Sequence, residues 1–179
     1  VRRASPLLIK AARRDPAVFC QYVLRDEASG KPVRLADMHV EWHDLLAKHD
    51  RCVIWSATDQ GKTSQISVGR MLWEIGRNPN IRILIVTEAQ SLGRKIIESI
   101  KGYITTSAEL AQVFPNLRRG RLWTQSAITV ARTSTSKDPT IQAVGYRGRI
   151  LGARVDLILI DDYLSADNTY TVSYTHLTL

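Results

Sequence analysis

An apolar run that stops abruptly at Gly-Lys-Thr constrains this chain more than any other feature. In Val53-Ile-Trp-Ser-Ala-Thr-Asp-Gln-Gly-Lys-Thr63, the stretch from Cys52 to Ser56 predicts a short buried parallel strand. A helix follows, with Ile66, Leu72 and Ile75 near helical spacing and an end near Gly76. A strand that turns into a helix in this way aims backbone N–H groups and the positive end of a helix dipole at one point, which favours phosphate. Gly61 lets the backbone approach closely, Lys62 would reach the β/γ-phosphates, and the Thr63 hydroxyl would ligate Mg²⁺. The full pattern is G-x-x-x-x-G-K-[ST]; here Ser56 stands at its first position.

A second element points to the same chemistry. Val155-Asp-Leu-Ile-Leu-Ile-Asp-Asp162 is an apolar strand that ends in adjacent carboxylates. Phosphoryl-transfer sites need an acid at a strand tip for the Mg²⁺ shell and a group that positions the attacking water. Asp161 fits the first role and Asp162 the second, where Glu is more usual. Read blandly, the two acids cap a strand and open a turn. Both motifs fall at carboxyl ends of strands, where open α/β sheets bind ligands.

Strands alternate with helices along the chain, which predicts a largely parallel α/β sheet. Asp15-Pro16 reads as an N-cap and first helical residue, opening a helix through Phe19, Tyr22 and Val23. Met38, Trp42, Leu45 and Leu46 mark one face of the next helix. Strands are expected at 81–86, 127–132, 141–144 and 155–162. Thr87 is expected to cap a helix whose buried face is Leu92, Ile96, Ile100 and Ile104. His39 and His43 have metal-ligand spacing, but with no third ligand they are read as non-metal. There is no internal repeat.

The 179 residues suit one domain with a real core, or part of a longer protein, and the first residue, Val1, suggests a missing start. Cys20 and Cys52 form no disulfide or zinc framework, which suggests a reducing compartment. No apolar run approaches the roughly 18 residues of a membrane span. A net charge of +8 points to a polyanionic partner. The basic residues gather at Arg2-Arg3 with Arg13-Arg14, at Arg118-Arg119-Gly-Arg121, and at Arg147-Gly-Arg149 with Arg154. Solvated surface charge is the plain alternative for the first two clusters.

Several segments together resemble the N-terminal ATPase domain of the large terminase subunit, the DNA-packaging motor of tailed phages and prophages. They are Asp15-Pro-Ala-Val-Phe19, Met38-His-Val-Glu-Trp-His-Asp-Leu-Leu46, Ser56–Ser64, Ile83-Leu-Ile-Val-Thr87 and, most specific, Gly145–Asp162. The likeness runs from residue 15 to about 169. It implies a P-loop NTPase of the ASCE type, a mostly parallel sheet flanked by helices and incomplete at its C-terminal end. ATP and Mg²⁺ are the implied ligands. Thr58, Asp59, Gln60, Gly61, Lys62, Thr63 and Ser64 would line the nucleotide, with Thr63 and Asp161 on the metal side. Lys62, Asp162 and Arg147 would carry catalysis, Arg147 as an arginine finger offered to a neighbouring subunit.

The implied partners are double-stranded DNA, a homo-oligomeric ring, a portal protein and a small terminase subunit, in the bacterial host cytoplasm. Arg118, Arg119 and Arg121 are the chosen DNA contacts. Residues 1–169 read as a partial motor domain, and Tyr170–Leu179 as a non-native tail resembling translated sequencing adapter. A final core strand and a nuclease domain would then be absent. The sequence departs from the family at Asp59, an acid beside phosphates, and at His43, where Gln is usual. Two rivals stay open: another nucleic-acid-dependent NTPase of helicase or recombinase type, and a basic DNA-binding or assembly module with an inactive nucleotide site.

Overall fold

Local capping sets the first elements. In the computed structural model, which describes residues 4–26, 28–146, 148 and 154–163, Ser5 caps helix α1 (Pro6–Arg14) by accepting the Leu8 N–H. Asp15 closes α1 and opens α2 (Pro16–Val23), its carboxylate accepting from Ala17 N at 2.8 Å and Val18 N at 3.2 Å. Proline at the first helical position completes the expected start.

Helix α3 (Asp37–Lys48) forms, but rotated from the expected face. It buries His39, Trp42 and His43, while Leu45 is 44% exposed. His39 is held by hydrogen bonds to Ala36 and Gln60. Both His43 ring nitrogens are buried with no hydrogen-bond partner among the described residues, so counting apolar residues alone misplaces the stripe. Next comes a wide, π-type helix, π1 (Thr63–Arg70), continued by α4 (Met71–Arg77). The helix expected after Gly-Lys-Thr is therefore present.

The strand expected at 52–56 is not. That segment belongs to none of the described strands, and Val53 and Trp55 are 88% and 90% exposed. An apolar run becomes a buried strand only where a neighbour completes its hydrogen-bond ladder. Among the described residues no strand pairs with it.

Five strands make the sheet, in the order β2 (Arg119–Trp123), β3 (Ala127–Val130), β4 (Ile141–Gly145), β1 (Ile83–Thr87), β5 (Leu157–Asp161). Strand β1 runs parallel to both β4 and β5, whereas β2–β3 and β3–β4 are antiparallel. The sheet is thus mixed, parallel only in the half that leads to the two aspartates. Strand β2 was read in the sequence as a basic cluster; its arginines obscured the strand.

The helix α5 (Gln90–Thr106) crosses from β1, and a short α6 (Ala108–Val113) follows. Ile96, Ile97 and Ile100 of α5 join Phe19, Leu72, Ile75, Ile85, Ile128 and Ile141 in the core. Each such apolar side chain contributes about 1.5–3 kcal/mol on burial. Thr87 does not cap α5 as expected. It ends β1, buried, and its hydroxyl donates to Ala89 O at 2.8 Å, leaving Ala89 as the cap residue. At the other end of the strands, Arg82 grips Asp156 with Nε–Oδ2 2.9 Å and Nη2–Oδ1 2.6 Å. That two-pronged pair fixes geometry as well as charge. It sits at the start of the β1–β5 register, which then carries Asp161 opposite Thr87.

Candidate functional site

The turn before π1 depends on two left-handed residues, Asp59 (φ 60) and Gly61 (φ 75). Glycine takes that conformation freely, and Asp is among the few side chains that tolerate it. His39 anchors the turn from α3. Its Nδ1 accepts the Ala36 N–H at 3.0 Å, so Nε2 carries the hydrogen and donates to Gln60 O at 2.9 Å. Gln65 N–H donates to Gly61 O at 2.9 Å and starts the helix. Lys62 folds back, its Nζ donating to Ser56 O at 3.1 Å.

On the sheet side, Asp161 is the last residue of β5 and Asp162 turns the chain with φ 44. The Asp162 carbonyl accepts the Glu88 N–H at 3.2 Å, which ties the tips of β5 and β1 together. Ser67, inside π1, donates its hydroxyl to Asp161 Oδ2 at 2.6 Å.

A cavity of about 260 Å³ opens between these parts. Thr63 and Ser64 line it from the first turn of π1, Asp161 and Asp162 from β5, and Lys95, Ser99 and Tyr103 from α5. Two motifs nearly a hundred residues apart thus face one space. Hydroxyl and carboxylate oxygens are hard donors of the kind Mg²⁺ takes. Among the described residues there is no cluster of three His, Cys, Asp or Glu side chains. Mg²⁺ held by one or two carboxylates plus substrate phosphates needs no such cage, so the oxygens present fit that ion when a phosphate ligand joins them.

The other sequence candidates fall elsewhere. Thr58, Asp59 and Gln60 lie exposed on the turn, and Lys62 beside it is outside the cavity lining. Arg118, Arg119 and Arg121 are exposed on and beside β2, at the opposite sheet edge from β5, with Arg119 5.5 Å over the Trp123 ring. Arg147 lies outside the described residues, as does the 164–179 segment. Trp42 is core, with His39 edge-on at 5.0 Å. Sequence reading missed Ser67 and the anchoring role of His39. A hydroxyl one turn beyond Thr63 was the available signal for Ser67.

No protein-family model matches the chain. One relative is the large terminase subunit of Enterobacteria phage T3, 27% identical over 110 residues. That match covers 60% of this chain and 18% of the relative, so the chain spans under a fifth of that protein's length. Among the described residues no helix is long and apolar enough to cross a membrane.

Proposed function

We propose that this chain is the ATP-hydrolysing motor region of a phage DNA-packaging terminase large subunit. One observation carries the reading: Thr63 and Ser64 share a cavity with Asp161 and Asp162, as hydrolysis of a nucleotide's terminal phosphate requires. The likeness to the phage T3 large terminase subunit supports the packaging context.

In this reading, Thr63 and Asp161 would hold Mg²⁺, which would supply charge neutralisation at the reacting phosphates. The N–H groups of Gly61 to Ser64 face phosphate at the positive end of π1. Lys62 exchanges its contact with Ser56 O for a phosphate oxygen. Asp162 orients and polarises the attacking water. Arg147 would act in a neighbouring subunit of a ring, where a guanidinium offsets charge developing on the γ-phosphate. Double-stranded DNA would meet the exposed arginines at 118, 119 and 121 through its phosphates, so binding should weaken steeply as salt rises. A portal protein and a small terminase subunit complete the machine.

The test is ATP hydrolysis by the intact protein and by its Lys62→Ala variant, both checked for folding. Turnover should fall by about a hundredfold or more when a preorganised charge on the reacting phosphate is removed. Equal rates in the two proteins would support the rival module with an inactive nucleotide site.

A further inference from the structure

We infer that Ser67 is a positioning residue for Asp161, holding that carboxylate in the orientation that takes up a divalent cation. The inference rests on the nucleotide reading above and names a residue that the Gly-Lys-Thr motif does not include.

Ser67 is 2% exposed, so its hydroxyl must find a partner inside the protein. A helical serine ordinarily bonds back to the carbonyl four residues earlier, which here is Thr63 O. Instead it crosses to β5 and donates to Asp161 Oδ2 at 2.6 Å, over 94 residues of sequence. That length belongs to a charge-assisted O–H···O⁻ bond, roughly twice as strong as a neutral one.

Helix geometry explains why the hydroxyl is there, since positions four apart share a face. Residues 63–70 are π-type, with bonds that close to the fifth residue. Positions four and five apart then lie on one side of the helix. Thr63 reaches the cavity from that side, and Ser67 meets Asp161 from the next turn. The bond engages one carboxylate oxygen, and among the described residues nothing bonds Oδ1. It also fixes a side chain that would otherwise swing at the end of an edge strand. Outer partners of this kind typically change metal affinity by about 10–100-fold when removed.

The probe is Mn²⁺, titrated by electron paramagnetic resonance into the intact protein with a non-hydrolysable ATP analogue. No turnover is involved. Ser67→Ala should weaken Mn²⁺ binding by about tenfold. Ser67→Thr, which keeps the hydroxyl, should stay within about threefold of wild type on the same scale. Ser67→Cys, close in size but a weak donor, gives a second reading should the alanine variant fail to fold, and should fall with it. Asp161→Asn separates the two ideas. Loss of Mn²⁺ affinity in Asp161→Asn, with wild-type affinity in Ser67→Ala or Ser67→Cys, overturns the role of Ser67 alone. Wild-type affinity in Asp161→Asn overturns the metal reading beneath it.

Discussion

His43 is 1% exposed, and its pKa is pushed down from 6.5 to about 4. Burial is the larger cause and the Arg70 guanidinium the next; together they outweigh Gln65 and Asp15, which favour the charged ring. The linkage has a definite sign. Between pH 6.5 and 4 the unfolded chain binds a proton that the folded chain refuses, so stability falls on acidification through that window. By pH 5 the loss from this one group is about 2 kcal/mol. Denaturant titrations at pH 7.5 and 5 should show that loss in the wild type and a smaller one in His43→Gln; identical pH dependence in the two would refute it. The contrast with other residues shows what a sequence discloses. Residue type and order singled out Lys62, Thr63, Asp161 and Asp162, and the structure brings Thr63, Asp161 and Asp162 to one cavity while Lys62 stays outside its lining. Ser67 and His39 were not singled out, because each acts through a bond to a distant segment that leaves no local pattern.

Elements were legible where they carried their own signals. Asp15-Pro16 capped and opened α2, and the apolar runs at β1, β4 and β5 became strands. Elements that depend on neighbours were misread. Segment 52–56 has a strand's composition but lacks a paired neighbour among the described residues, and α3 turns its imidazoles inward. Strand β2 was hidden by charges that suit an exposed edge. Close packing of π1 on α2 has a specific cause in Gly69. A Cβ there would lie 2.6 Å from Cys20 Sγ, 2.9 Å from Leu24 Cδ1 and 3.2 Å from Ser64 O. Gly69→Ala must displace the buried Cys20 Sγ and Leu24 Cδ1, at a cost of about 1–3 kcal/mol. Urea denaturation measures it, and a stability within about 0.5 kcal/mol of wild type would show that the contact yields freely.

At the scale of the whole molecule, the sheet has two unlike edges. The β2 edge is basic and exposed, while the β5 edge presents Ile158 and Ile160, 59% and 63% exposed. The candidate site sits between the tip of β5 and the first turn of π1. Parallel order was legible for β1 and β4 because the helix α5 lies between them; the antiparallel half was not, since β2 went unread and β3 turns back against β4. The proposed function requires Thr63 and Asp161, which line one cavity, to share one ion-bound nucleotide. Mg²⁺-dependent ATP turnover in a double-mutant cycle of Thr63→Ala and Asp161→Asn tests this most directly. Each single change should lower kcat/KM by about a hundredfold, and the pair together little more than the worse of the two, since residues acting as a unit are not additive. Losses that multiply to about ten-thousandfold, as for independent sites, or single changes without effect, would contradict a shared site.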